Sequence, residues 1–393
     1  MLPALVPMAA TAATVGTKCV KPGAVAWHGK IQLKCVKFGG RMQWRPARAS
    51  TPKAGPQPDA DSMVGATCVD EGNELLNAAG PIKCVDGSWA SIALAEDSVA
   101  SRAYRNLMVQ YWMHPTSTVG LKMVSDSQTS FAIGPVERGI RAADRLWSVN
   151  GTMQPYPVVL AHDLTSLLAA SGKLGLALSD TDREVVAAQE RSLGDCVIAE
   201  FVTHVVNQPW MFFCMGRPAT DDSDLSGGFA VGAHEYTHVA QFVLLGDIRG
   251  WRTYISMAPW FEEGLASYVM MALGGVAGDG GLRNSWVSNL ESATGTVADY
   301  NYFVPTGARA PYALGLFATE ALYALEGPGI TEKILKAGST GLKFSEAFKS
   351  ATGNSLEDWT PVLEAYVESV KAQRVLSLTQ LQDVRDSVFR KVG

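Results

Sequence analysis

The stretch that decides the fold reads His234-Glu235-Tyr236-Thr237-His238, an H-E-x-x-H motif. Side chains four residues apart lie on the same face of a helix, so His234 and His238 can bind one ion together. Apolar residues at helical spacing flank the motif on both sides, which predicts a largely buried helix. Two histidines and a glutamate are costly in such a helix unless they are paired or bound to a metal. The alternative is a buried amphipathic helix whose two histidines satisfy each other.

A second segment supplies a candidate third ligand. Residues 260–268 read Trp-Phe-Glu-Glu-Gly-Leu-Ala-Ser-Tyr, and a helix through them can bring Glu263 to the two histidines. Two imidazoles, one carboxylate and an open position for water are typical of a catalytic zinc site, whereas a structural site is closed by four protein ligands. We therefore expect Zn²⁺ as the cofactor, held by His234, His238 and Glu263.

Together the two segments resemble the gluzincins, the zincin metallopeptidases whose third zinc ligand is a glutamate. Residues 260–268 are similar to the Trp-Leu-Asn-Glu-Gly-Phe-Ala-Ser-Tyr run of membrane alanyl aminopeptidase-like enzymes, with Glu262 where that family usually has asparagine. The resemblance is strongest over residues 226–270, and its longer gap between ligands indicates an inserted loop at about Gly246–Pro259. It implies an α+β fold with a zincin (thermolysin-like) catalytic domain, a small β-sheet and a mainly helical C-terminal part.

The resemblance also implies roles for individual residues. Glu235 would be the general base that takes the proton of a zinc-activated water and later protonates the leaving amine. Residues 310–320 resemble the Tyr-x-x-Gly helix start of many of these proteins, which makes Tyr312 the candidate for stabilising the oxyanion, with Tyr302 in reserve. Ser267, one turn after Glu263, is placed to form a hydrogen bond to a ligand.

One element of the aminopeptidases is missing. Those enzymes have a Gly-x-Met-Glu-Asn segment before the zinc helix, whose glutamate binds the free amino group of the substrate. The present sequence contains no such segment. An endopeptidase is therefore the better interpretation, and an aminopeptidase is the alternative.

Composition limits the function classes. With 393 residues, of which 47% are hydrophobic, the chain is long enough for more than one domain and for a sizeable core. The net charge of −5 and the lack of a basic run argue against nucleic acid as a partner. No uncharged apolar segment is long enough to span a bilayer, so no transmembrane segment is predicted.

The cysteines indicate small stapled modules before the enzyme. Cys19 and Cys35, in a Val-Gly-Thr-Lys-Cys … Leu-Lys-Cys-Val context, have the same spacing as Cys68 and Cys84 in a similar context. Modules this small commonly need a staple, because they cannot bury enough core. A four-cysteine zinc site is the alternative, but it usually shows C-x-x-C pairs. The predicted disulfides are Cys19–Cys35, Cys68–Cys84 and Cys196–Cys214.

These features give a predicted domain organisation. Residues 1–15 resemble the end of a secretory signal that lacks its basic region. Two small disulfide-stapled β modules follow at 16–45 and 63–92, joined by a proline-rich linker at 46–62, and a gluzincin-like domain occupies 98–393. The modules resemble the short Cys-pair repeats of actinobacterial envelope proteins. We therefore expect a secreted or envelope-associated protein whose modules bind a cell-envelope ligand.

The remaining pattern gives a coarse secondary structure. Helices are predicted at 98–114, 139–147, 314–325, 330–336, 344–350 and 356–375, and strands at 130–136, 157–161 and 210–213. Residues 299–311 are predicted to form a loop that acts as a gate. The leading hypothesis is a zinc metallopeptidase that cleaves a peptide or protein substrate. The competing hypothesis is a catalytically inactive zincin scaffold that binds a partner in the cell envelope.

Overall fold

The structure is a computed structural model. From residue 97 onward it describes residues 97–115, 117, 119–149, 156–178, 180, 183–184, 186–188, 197–202, 210–215, 223–245, 257–274, 281–301 and 310–392. Before residue 97 it describes residues 18 and 21 and six strands. The larger of two compact units contains every residue from Ser91 onward.

The six N-terminal strands form two three-stranded sheets. Strands β1 (Val25–His28), β2 (Ile31–Phe38) and β3 (Arg41–Pro46) pair antiparallel in the order β1-β2-β3. Strands β4 (Glu74–Asn77), β5 (Gly80–Val85) and β6 (Ser88–Ser91) form the second sheet in the order β4-β5-β6. Each predicted module thus contains three strands that follow one another in the sheet as they do in the sequence.

Two of the six cysteines have described side chains. Cys35, on β2, is buried, and both it and Cys214 are bonded in disulfides. The side chains of the other four cysteines lie outside the described residues. The three predicted pairings therefore stay predictions.

The larger unit is built on a four-stranded sheet in the order β7-β8-β10-β9. Strands β7 (Leu121–Ser125), β8 (Tyr156–Ala161) and β10 (Trp210–Met215) run parallel, and β9 (Val197–Val202) pairs antiparallel with β10 at one edge. All six residues of β8 are buried, which is typical of a parallel strand covered on both faces. Alternate side chains of β8 and β10 accordingly enter two separate apolar clusters.

Eleven helices are described in this unit. They are α1 (Val99–Met113), α2 (Ile133–Trp147), α3 (Leu164–Lys173), α4 (Ser223–Leu244), α5 (Pro259–Gly274), α6 (Gly281–Ser292), α7 (Ala310–Glu326), α8 (Ile330–Gly338), α9 (Phe344–Thr352), α10 (Leu356–Lys371) and α11 (Leu378–Val392). The fold is α+β and mostly helical, as predicted. No described helix is both long and apolar enough to cross a membrane.

Most predicted elements are confirmed, but the strand predicted at 130–136 is wrong. A 3₁₀ turn at Ser130–Ala132 leads directly into α2, which begins at Ile133 and contains Pro135 in its first turn. Proline is tolerated there because the backbone N–H that it lacks has no helical partner at that position. The predicted helix 356–375 ends early, at Lys371, because Gln373 has a positive φ of 54°.

The gate predicted at 299–311 lies only partly within the described residues. It begins with a 3₁₀ turn at Ala298–Tyr300, and α7 already starts at Ala310, so Tyr312 belongs to the first turn of a helix. Residues 302–309 lie outside the described part of the chain. Helices α3, α6 and α11 and strands β7 and β9 were not predicted.

The two helices that carry the candidate ligands pack against neighbours at backbone distance. Where α2 crosses α4, a Cβ on Gly139 would lie 2.0 Å from the carbonyl oxygen of Phe229. Where α5 crosses α7, a Cβ on Gly315 would lie 2.0 Å from the carbonyl oxygen of Trp260, and one on Gly264 would lie 2.2 Å from the carbonyl carbon of Gly315. Only glycine fits at these crossings without moving the backbone.

We expect Gly315→Ala to lower the free energy of unfolding by at least about 3 kcal/mol, the upper end of overpacking effects, because its nearest neighbour is backbone and cannot rotate away. Urea unfolding measures this. Gly172→Ala, in α3, is the matched control, because an added Cβ there has no neighbour within 4 Å. The control should be neutral or stabilise by up to about 1 kcal/mol. Equal unfolding midpoints for the two variants would contradict the packing described.

For the cysteines, peptide mapping of the non-reduced protein by mass spectrometry should find Cys19–Cys35, Cys68–Cys84 and Cys196–Cys214. Pairing within each module is expected because a disulfide stabilises a small unit that has little core of its own. A peptide that joins the two modules through one disulfide would show that the repeats are not separately stapled units.

Candidate metal centre

Three side chains from two helices converge on one point. His234 and His238 lie on α4 and Glu263 lies on α5. The two Nε2 atoms are 3.2 Å apart, and Oε2 of Glu263 lies 3.5 Å from Nε2 of His234 and 3.4 Å from Nε2 of His238. Among the described residues, this is a group of three whose ligand atoms lie close enough together to hold a metal ion.

The geometry fits zinc. Tetrahedral zinc with bonds of about 2.0–2.1 Å to nitrogen and oxygen separates its ligand atoms by about 3.3–3.4 Å. The three observed separations bracket that value. In addition, Oε2 of Glu263 is buried and has no hydrogen-bond partner among the described residues, although it faces both histidines. A buried carboxylate oxygen without a hydrogen bond needs an explanation, and a cation between the three atoms supplies one.

The charges at the centre are strongly coupled. Burial alone would raise the pKa of Glu263, but His238 and His234 hold that pKa below its usual range. Burial alone would lower the pKa of His238, but the negative charge of Glu263 raises that pKa to about 10. The carboxylate is thus ionised, as a metal ligand must be, and it faces positive charge. A bound cation in place of the proton on His238 would satisfy the same carboxylate.

Glu262 and Glu263 have different environments despite being neighbours. Glu263 points to the histidines, while Glu262 is not part of the ligand group. Burial, and then the negative charge of Glu263, raise the pKa of Glu262 to about 8. A carboxyl group that tends to stay neutral is a poor metal ligand, which agrees with the geometry that brings Glu263, and not its neighbour, to the two histidines.

The histidines differ in the support of their second ring nitrogen. Nδ1 of His238 lies 2.8 Å from Oε1 of Gln241, whose Nε2 donates to the carbonyl oxygen of Glu262 at 2.9 Å. Nδ1 of His234 is buried without a hydrogen-bond partner among the described residues. Sequence reasoning missed Gln241, although its position one turn after His238 on the same helix was the available signal.

The candidate catalytic residues lie beside the ligands. Glu235 follows His234 on α4 and is 6% exposed. The ring of Tyr312 stacks on the ring of His234, with centroids 6.0 Å apart and planes inclined by 11°. Tyr302 lies outside the described residues. Ser267 does not make the expected hydrogen bond to a ligand, because its Oγ is buried and has no hydrogen-bond partner in the described part of the chain.

The two middle residues of the H-E-x-x-H motif attach the helix to α2. The hydroxyl of Tyr236 donates to Oδ1 of the fully buried Asp144, at 2.5 Å. Nε1 of Trp147 donates to Oγ1 of Thr237 at 3.4 Å. Burial and the charge of Asp144 raise the pKa of Tyr236, so this tyrosine keeps its proton and remains a donor. The motif therefore presents its ligands on one face and is anchored on another.

Comparison of the chain with models of protein families, with curated proteins and with solved structures finds no match.

We expect the purified protein to contain about one zinc ion per chain. Replacing His234, His238 or Glu263 with alanine should lower zinc affinity by more than about 100-fold, because a ligand is worth more than the about 10–100-fold of an outer-shell partner. Chelator competition with elemental analysis measures this. Glu262→Ala is the control and should retain its zinc. Full zinc content in Glu263→Ala would show that this carboxylate is not a zinc ligand.

Proposed function

We propose that this protein is a zinc-dependent peptidase with a zincin-type catalytic domain. The observation that carries the proposal is the convergence of two imidazole nitrogens and one carboxylate oxygen, 3.2–3.5 Å apart, beside the buried Glu235. Three protein ligands leave one position of a tetrahedral zinc open, which is the arrangement of catalytic sites. A zinc ion held there would act as a Lewis acid and lower the pKa of a water from about 15.7 towards 7.

The residues around the ligands have separate tasks in this proposal. Glu235 is next to a ligand in the sequence but is not a member of the ligand group, and in this proposal its carboxylate takes a proton from water and returns it to the leaving amine. Tyr312 lies against His234, where a phenol can donate a hydrogen bond to a carbonyl oxygen that gains charge. This division of work suits hydrolysis of an amide bond.

The same arrangement supports an endopeptidase more than an aminopeptidase. The sequence has no Gly-x-Met-Glu-Asn segment to hold a free amino terminus. In the described residues β9 lies next to α4 and pairs with β10 alone, and we propose that an extended peptide binds along its other edge. Backbone hydrogen bonds along such an edge bind a peptide without requiring its terminus.

We propose that the protein acts outside the cytoplasm. The disulfide bonds of Cys35 and Cys214 support this, because disulfides persist in oxidising compartments and are rare in the cytosol. In this proposal the two N-terminal modules bind a ligand of the cell envelope and keep the enzyme close to its protein substrates.

The test of the reaction is Glu235→Gln. This variant should retain zinc but lose about 10²–10⁴-fold in the rate of peptide hydrolysis, because an amide cannot accept the proton. Internally quenched peptides with acetylated N-termini measure turnover and exclude aminopeptidase action. Glu137→Gln, a partly exposed residue on α2, is the matched control and should keep full activity. Cleavage restricted to peptides with free amino termini would favour the aminopeptidase, and zinc-loaded wild type that cleaves nothing would favour the inactive scaffold.

Tyr312→Phe tests the second catalytic role. Its hydroxyl is proposed to act on charge that develops in the transition state, so kcat should fall while KM changes little. The ring itself should still stack on His234. Steady-state kinetics on the acetylated peptides measure both constants. A rise in KM with unchanged kcat would assign Tyr312 to substrate binding instead.

A further inference from the structure

We propose that Gln241 is a positioning residue that sets the second and third metal ligands together. Its amide oxygen determines which ring nitrogen of His238 carries a proton, and its amide nitrogen holds α5 beside Glu263. The inference rests on the proposed metal site and concerns how this chain assembles it.

The hydrogen bonds of Gln241 determine which way its amide faces. Its partner on α5 is the backbone carbonyl oxygen of Glu262, which can only accept a hydrogen bond, so the NH₂ group of Gln241 must lie on that side. Its Oε1 therefore faces Nδ1 of His238 at 2.8 Å, and that oxygen can only accept. Gln241 is fully buried, so water does not compete for either contact.

The direction of these bonds fixes the chemistry of His238. Because Oε1 of Gln241 accepts, Nδ1 of His238 must carry a proton. The lone pair available for a metal is then on Nε2, the atom that lies 3.4 Å from Oε2 of Glu263. Ligating histidines are generally held by such an acceptor on the other ring nitrogen, which fixes ring orientation and increases basicity. A backbone carbonyl on α5 thus determines the tautomer of a histidine on α4.

The second bond acts on the third ligand. The carbonyl that Gln241 holds belongs to Glu262, the residue directly before Glu263, in the first turn of α5. It ties α4 to α5 one residue from the carboxylate that must reach both histidines. The glycine contacts fix α5 against α7, its other neighbour. Gln241 then sets the position of α5 relative to the histidines.

The experiment measures zinc affinity of the full chain by chelator competition. Gln241→Met, of similar length and unable to form either hydrogen bond, should bind zinc about 10–100-fold more weakly than wild type. Gln241→Glu keeps an acceptor for His238 but loses the donor to Glu262, so it should lose less affinity than Gln241→Met. In the Glu263→Ala background, the effect of Gln241→Met should shrink, because one of the two ligands that it positions is gone.

The matched control is Gln110→Met. Gln110 is also a buried glutamine that joins two segments, donating to the carbonyl of Leu146 and accepting from the hydroxyl of Tyr323, but it lies outside the ligand group. It should lower stability without changing zinc affinity. Correlation of ¹⁵N and ¹H in the zinc-loaded protein should show His238 protonated at Nδ1 in wild type and in Gln241→Glu.

The outcomes separate this inference from the proposed function. Wild type that binds zinc, together with Gln241→Met of unchanged affinity, would overturn the role of Gln241 and leave the peptidase proposal standing. If Gln241→Met does not fold, the tautomer of His238 that NMR shows in Gln241→Glu tests the role of Gln241 instead. Protonation at Nε2 would overturn that role. Wild type that binds no zinc would overturn both.

Discussion

The structure depends on the approach of helix backbones at two glycine contacts. At Gly139 the backbone of α2 lies directly against the backbone of α4, and at Gly264 and Gly315 the backbones of α5 and α7 do the same. Helices separated by larger side chains keep an interaxial distance of about 8–10 Å, and these crossings are set by backbone contact instead. Since α4 and α5 bear all three ligands, the position of each ligand is limited by a contact that no rotamer change can relax.

The packed helices also surround a group of buried ionisable side chains. The candidate metal centre brings a carboxylate and two imidazoles together in a region where unpaired charge is costly. Hydrogen bonds hold the residues around it in place. Asp144 accepts a hydrogen bond from the hydroxyl of Tyr236, and Gln241 connects His238 to the backbone of α5. Trp260, at the start of α5, donates a hydrogen bond to the side chain of Asn301, which in turn donates one to the hydroxyl of Thr360. The centre is therefore held from several elements that are distant in sequence.

How much of this could be predicted follows from the range of each interaction. The face shared by His234 and His238 is a local property of a helix, so the motif alone predicts it. Glu263 was predicted from a second helical segment, and the resemblance to a known segment distinguished it from Glu262, but the distances that bring Glu263 to both histidines are a property of the tertiary structure. Gln241 escaped prediction because its bond to Glu262 crosses to another helix, and Asp144 escaped prediction because its partner Tyr236 lies on α4. The strand predicted at 130–136 failed because Pro135 is compatible with a helix in its first turn. The helical glycines gave no signal, since a helix-weakening residue shows its purpose only when its neighbour is known.

The central claim is that His234, His238 and Glu263 hold one zinc ion and that Glu235 is not a zinc ligand. X-ray absorption at the zinc edge of the chain tests this most directly, because it counts the atoms bound to the metal. We expect nitrogen and oxygen neighbours at about 2.0–2.1 Å, with the outer scattering of two imidazole rings and no sulfur. Sulfur neighbours at about 2.3 Å would place the zinc on cysteines and contradict the account.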